Sequence, residues 1–245
     1  MMHIEKNEVH VWKSLLDFDD ESIAAFFNLL SDDEIQIALR FRFDCHRKQY
    51  IASHGLLRSI LCEYIRIEPQ FLTFRTNQYG KPRLSSNRNI SDIRFNISHS
   101  HKLCVIAVAK ELEIGIDIEF IHRDINFLEI AKSVFSKNDL ATYRSMPENV
   151  QKIVFFRCWT RKEAYLKAKG KGLSPNLDQL EVCFLHSESD GILSSADSPG
   201  KDKYWHLFDI TPFPGYTGAL STEGKPDNIK YFNAISIFPR LIKLK

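Results

Sequence analysis

The run RFNISHSHKLCVIAVAKELEIGIDIEF, from Arg94 to Phe120, decides the fold class. Three extended candidates follow one another in it, at Arg94 to Ile97, Leu103 to Ala109 and Ile114 to Phe120. Upstream, Tyr50, Ile51, Leu56, Leu57, Ile60, Leu61, Tyr64 and Ile65 recur at helical spacing. They predict a long helix from about Asp44 to Ile67 that stops before Pro69, since proline is not tolerated inside a helix. Downstream the same order returns. Helical patterns cover Phe127 to Phe135, Lys137 to Arg144 and Glu148 to Lys169, the last closed by Gly170. Strand candidates then lie near 180–185, 204–209, 218–221 and 231–238. No residue-level repeat links the halves, yet each has one long helix and several short strands. The expectation is an α+β protein, a pseudo-twofold pair of similar halves at 1–112 and 113–245, each with a small, mainly antiparallel sheet.

At the N-terminal side, Val9 to Trp12 alternates as a strand and Glu21 to Leu30 reads as a short helix. Ser31 followed by Glu34 is a capping box that starts another helix. Phe71 to Arg75 reads as extended, Asn77 to Pro82 as a turn, and Ser187 to Lys203 as a polar loop. Composition narrows the function. Of 245 residues 44% are apolar, enough for a sizeable core, and 33 basic against 31 acidic side chains give a net charge of only +2. A general nucleic-acid binder would carry a basic excess, so no nucleic-acid partner is expected. The longest uninterrupted apolar run, Leu103 to Ala109, is far short of the ~20 residues of a membrane helix, and no membrane partner is expected either. Cys45, Cys62, Cys104, Cys158 and Cys183 are odd in number and without a C-x-x-C pair, which reads as free thiols in the cytoplasm.

The chemistry gathers in three places. In Gly115-Ile116-Asp117-Ile118-Glu119-Phe120 successive side chains alternate faces, so Asp117 and Glu119 stand together opposite Ile116 and Ile118. Two adjacent carboxylates suit Mg²⁺ shared with substrate phosphates; a half-exposed strand with two solvated acids is the plainer alternative. In Trp159-Thr160-Arg161-Lys162-Glu163-Ala164-Tyr165-Leu166-Lys167, residues 159, 163 and 167 share a helix face. Glu163 would complete a metal site with Lys167 neutralising phosphate, or the two would form an ordinary surface pair worth ~0.3–0.5 kcal/mol. Phe95-Asn96-Ile97-Ser98-His99-Ser100-His101 sets hydroxyls and imidazoles at a strand end, where phosphate can be held, with Lys81 of the Tyr79-Gly80-Lys81-Pro82 turn a further cation.

Tyr-Gly-Lys-Pro at 79–82, Phe-Asn-Ile-Ser-His-Ser at 95–100, Gly-Ile-Asp-Ile-Glu at 115–119 and Trp-Thr-Arg-Lys-Glu-Ala-Tyr-Leu-Lys at 159–167 occur in that order. Together they resemble the Sfp-type 4'-phosphopantetheinyl transferases. The likeness extends to Phe135-Ser136-Lys137 and Gly170-Lys171-Gly172-Leu173. It implies a 4'-phosphopantetheinyl transferase fold and transfer of the phosphopantetheine arm of coenzyme A to a serine of an acyl, peptidyl or polyketide carrier protein, with release of 3',5'-ADP. By resemblance Asp117, Glu119 and Glu163 would bind Mg²⁺, Glu163 would be the candidate base, and Lys167 and Lys162 would contact the phosphates. Ser98 and His99 would meet the 3'-phosphate, with Lys81 near the nucleotide. Relatives often place arginines between 40 and 58; here Arg47 is favoured over Arg40, and Gln49 and His54 stand where an arginine is expected. The helix from Phe127 resembles the family's carrier-docking region, with Arg123, Lys132 and Lys137 as its cations. A monomer is implied, since the two halves already form a pseudo-dimer. The rival readings are a non-catalytic coenzyme A or nucleotide-binding module, and another metal-dependent phosphoryl enzyme using the same acidic pair.

Overall fold

The computed structural model describes residues 2–85, 92–121, 127–172, 177–182, 194–195 and 205–237. Arg123, Leu173, Cys183 and nearly all of the 187–203 loop lie outside the described residues. In chain order the first elements are β1 (Glu8–Leu15), α1 (Asp20–Phe27), α2 (Asp32–Leu39), α3 (Asp44–Tyr64), β2 (Phe74–Thr76), β3 (Pro82–Leu84), β4 (Ile93–Ser100) and β5 (Leu103–Lys110). Then come β6 (Ile114–Phe120), α4 (Phe127–Val134), α5 (Lys137–Arg144), α6 (Glu148–Lys169), β7 (Leu180–Glu181), β8 (Ser194–Ser195), β9 (Trp205–Ile210), β10 (Tyr216–Glu223) and β11 (Asn228–Asn233). The fold is mixed α+β. Contacts divide the chain into two units, one holding residues up to 76, 82–111 and those from 228 on, the other 77–81 and 112–227.

The first unit is a four-stranded sheet in the order β11-β1-β5-β4. β5 runs antiparallel to β1 and β4, pairing Val9 with Ala109 and Ile93 with Lys110. It sits inside the sheet, so Leu103 to Ala109 are all buried and the strand reads as an unbroken apolar run. Leu56, Ile60 and Leu61 of α3 bury against Trp12, Phe95, Ile106 and Val108, forming the core of this unit. α2 starts where its capping box lies: Glu34 N bonds to Ser31 Oγ while Ser31 N donates to Glu34 Oε2 at 3.0 Å. The same carboxylate accepts from buried Arg58 Nε at 2.6 Å, and Arg58 also donates to the carbonyls of Pro69 and Leu72. α3 stops at Tyr64, three residues before the expected Ile67, as Ile65 turns extended ahead of Pro69.

The C-terminal strand departs from expectation. Residues 228–233, assigned by sequence to the second half, lie parallel to β1 with Glu8 opposite Asn228, and so belong to the first unit's sheet. The strand ends at Asn233, well before the expected 238, because Asn233 Oδ1 accepts from Ile235 N and starts a 3-10 turn over Ala234–Ile237. The parallel partner is 220 positions upstream in the chain, since Asn228 meets Glu8, so no local pattern marks the pairing.

The second unit has an antiparallel sheet in the order β6-β10-β9, with α6 packed across β6 and β10. α5 begins at Ser136, whose Oγ accepts from Asp139 N at 3.0 Å, and α6 ends at Gly170 in the left-handed region (φ 66°). Phe135, Tyr143, Phe155, Phe156, Tyr165, Trp205 and Leu207 form its apolar cluster. α6 is covered on every side from Thr160 to Leu166. No helix among the described residues is long and apolar enough to cross a membrane.

Candidate active site

β6 and α6 approach so closely that only glycine fits between them. A Cβ on Gly115 would stand 2.1 Å from the carbonyl oxygen of Ala164 and 2.3 Å from the amide nitrogen of Ala168. That contact fixes which face of β6 meets the helix. By alternation Asp117 and Glu119 follow Gly115 on the α6 side, while Ile114, Ile116 and Ile118 are buried on the other. Asp117 is 5% exposed, which disposes of the solvated-acid alternative for this residue. Its Oδ1 accepts from Lys167 Nζ at 2.6 Å, so the strand carboxylate and the helix lysine expected to share a site do meet.

Glu163, one turn before Lys167, is 8% exposed, and its Oε1 is buried without a hydrogen-bond partner among the described residues. Burial, followed by the negative charges of Asp117 and Glu119, pushes its carboxyl up to about 7, against the opposing pull of Lys167. The site therefore gathers three mutually repelling oxygen-donor groups, one of them with an unfilled buried acceptor. These features fit a hard divalent cation. Among the described residues, no three histidine, cysteine or carboxylate side chains are drawn tightly enough to hold an ion unaided. A magnesium site that borrows ligands from water and substrate does not need them to be.

Two of the candidate lysines are engaged within the protein. Lys162, assigned by sequence to phosphate, is completely buried; Nζ donates to the carbonyls of Val134 (2.9 Å) and Leu177 (3.0 Å) and pairs with Asp139 at 3.1 Å. Its neighbours in sequence point differently because consecutive helix positions do not share a face. Lys81 is 9% exposed, with Nζ spent on the carbonyls of Ala168 (2.8 Å) and Ile114 (3.0 Å) and on Glu113 (3.3 Å). Trp159 stacks on Phe155 within the apolar cluster. Arg157 and Arg161, which the sequence left without a role, both donate to Asp209 of β9, at 2.7 and 2.6 Å from their Nε atoms. Asp209 is about fifty residues away and carries no motif that would have flagged it.

The remaining candidates lie in the first unit. Arg47 occupies the first turn of α3 and pairs with Asp44. Ser98 is buried and His99 exposed on β4. His54 is near enough to feel His99; burial chiefly, and then that neighbour, hold its imidazole below the usual range. The Tyr50 ring stacks on it at 3.9 Å. Gln49 donates to the carbonyl of His101 at 2.9 Å, so it ties α3 to the β4–β5 turn.

The family model described as the 4'-phosphopantetheinyl transferase superfamily matches residues 113–219, and that of the 4'-phosphopantetheinyl transferase N-terminal region matches 18–111. The 4'-phosphopantetheinyl transferase HetI of Nostoc sp. is 34% identical over 218 residues, 89% of each chain. The chain belongs to the 4'-phosphopantetheinyl transferase family. The transferase Sfp of Bacillus subtilis is 33% identical over 197 residues, covering 80% of this chain and 83% of Sfp. The human L-aminoadipate-semialdehyde dehydrogenase-phosphopantetheinyl transferase is 32% identical over 150 residues, 58% of this transferase and 48% of the human protein. The carboxylate-bearing β6 and α6 fall within the 113–219 match.

Proposed function

We propose that this transferase moves the 4'-phosphopantetheine arm of coenzyme A onto a serine of an acyl, peptidyl or polyketide carrier protein, releasing 3',5'-ADP. The carrying observation is Glu163: a buried carboxylate with an open oxygen and a pKa of about 7, beside the Asp117–Lys167 pair. Asp117, Glu119 and Glu163 would hold Mg²⁺. An ion held there would supply positive charge to offset that developing on the leaving group.

The chain's own groups do the rest. Glu163 accepts the serine hydroxyl proton at a carboxylate oxygen. The serine oxygen attacks the phosphorus that bears the pantetheine, and the bond to 3',5'-ADP breaks. Lys167 orients the phosphates as a point charge. By resemblance, Arg47, Ser98 and His99 would contact the 3'-phosphate. Leu128 on α4 is 36% exposed beside Lys132, and with Lys137 it offers apolar and basic contacts to an acidic carrier helix. The protein acts as a cytoplasmic monomer without nucleic-acid or membrane partners; sedimentation at assay concentration checks the monomer.

Incubation with coenzyme A, Mg²⁺ and apo carrier adds one phosphopantetheine mass to the carrier. No addition to any of several carrier types refutes the reading, and binding of coenzyme A without addition favours a non-catalytic module. Asp117→Ala and Glu163→Ala each abolish transfer while circular dichroism stays native; activity in both would refute the carboxylate site.

A further inference from the structure

The Asn77–Lys81 turn is built as a clasp. Asn77 Oδ1 accepts from the backbone nitrogens of Tyr79 and Lys81, both at 2.9 Å, and Gly80 takes φ 85° where a side chain would be strained. From this rigid loop two side chains reach the end of α6. Asn77 Nδ2 donates to the carbonyl of Gly170, the residue that caps the helix, at 2.7 Å. Lys81 Nζ donates to Ala168 O at 2.8 Å, filling a carbonyl that the last helical turn leaves open, where a cation is also favoured by the helix dipole. The same ammonium donates to Ile114 O at 3.0 Å, the first residue of β6.

One buried cation thus joins the last turn of α6 to the start of β6. Gly115, the next residue, is where the two backbones touch, and Asp117 follows two residues later. Ala168 follows Lys167, and Glu163 lies little more than one turn earlier. Any slide of the strand along the helix would change the separation of Asp117 from Glu163 and Lys167, and the Lys81 bonds oppose that slide. We infer that Lys81 is a positioning residue of the carboxylate site, acting by locking β6 in register against α6 rather than by touching the nucleotide. The inference rests on the proposed function for the identity of that site.

The test is Lys81→Met, which keeps the stem and removes the ammonium, with Asn77→Ala as a milder second variant that loosens the same clasp. Mn²⁺ serves as the probe in titrations of metal-free protein followed by electron spin resonance, alongside steady-state transfer kinetics and circular dichroism. Lys81→Met is expected to bind Mn²⁺ at least ~10-fold more weakly, the scale seen when a ligand's supporting group is removed. The turnover number falls while KM for coenzyme A stays within about twofold of wild type, and Asn77→Ala moves the same way by less. Should Lys81→Met not fold, Asn77→Ala alone decides: weaker Mn²⁺ binding with native circular dichroism supports the inference, and unchanged binding overturns it. Unchanged Mn²⁺ affinity with a raised KM for coenzyme A would mean a nucleotide contact and overturn it too. Wild-type protein that binds no Mn²⁺ overturns the carboxylate-site reading and this inference together; binding in wild type that the variants leave untouched overturns this inference alone.

Discussion

Replacing Gly115 by alanine adds one methyl group at the point where strand and helix touch. The new Cβ would lie 2.1 Å from Ala164 O and 2.3 Å from Ala168 N, about 1.3 Å short of the 3.4 Å at which ordinary contact begins. Both neighbours are backbone atoms of α6, so no rotamer change relieves the clash and the strand must lift away. Overpacking of this kind costs ~1–3 kcal/mol, and the stiffer unfolded chain of alanine returns only ~0.4–1 kcal/mol. A net loss of about 1.3 kcal/mol lowers Tm by roughly 3–5 °C in a protein of this size. Lifting β6 also withdraws Asp117 from Lys167, now at 2.6 Å. Misplacement by ~1 Å at a reacting centre costs on the order of 100-fold in rate. The assay pairs a thermal melt with the rate of phosphopantetheine addition to apo carrier at a temperature where both proteins are folded. A variant that melts and turns over like wild type would refute the close β6–α6 contact. A variant that melts lower yet keeps full activity would refute the claim that this contact spaces the carboxylates.

Two further outcomes follow from burial. Glu163 holds its proton more tightly folded than unfolded, so its contribution is full at low pH and is lost as pH rises through about 7. Without divalent ions, urea unfolding should therefore show stability falling by ~2–3 kcal/mol from this group between pH 5 and 8. Glu163→Gln removes that slope, and equal slopes in the two proteins would count against the buried carboxylate. Lys162 and Asp139 form a pair with side chains 0% and 8% exposed. Removing either partner alone, as in Lys162→Met, leaves a charge buried and costs ~3–5 kcal/mol by denaturant titration, whereas the Lys162→Met, Asp139→Leu double variant recovers part of the loss.

What the sequence makes legible is local. The Ser31–Glu34 capping box, the Lys137 start of α5, the Gly170 stop of α6 and the alternation across 114–120 each depend on neighbours within a few positions, and each appears in the structure where it reads. The meeting of Asp117 with Lys167 was legible too, because ordered motifs marked both ends. Contacts that depend on distant partners were not. Asp209 beneath two arginines and β11 beside β1 are set by packing between residues far apart in sequence, with no signal at either end. The partners of Lys81 and Lys162 were not legible either, for one shared reason. A lysine in a motif looks like a charge waiting for phosphate, and only its surroundings reveal an ammonium held by carbonyl and carboxylate oxygens.

Both long helices are engulfed rather than laid on a surface. Positions 55–61 of α3 and 160–166 of α6 are buried without interruption, through two full turns each. A surface helix buries every third or fourth position and leaves the rest free to vary, and a library of single substitutions along it would return a striped record of survivors. Along these two windows the stripe vanishes: Arg58, Arg161 and Lys162 are as enclosed as Leu56 or Tyr165. Such a library would show two solid blocks of intolerance, polar positions included. Designers wishing to retune this transferase should leave those turns alone and place their diversity on the exposed ends of the same helices.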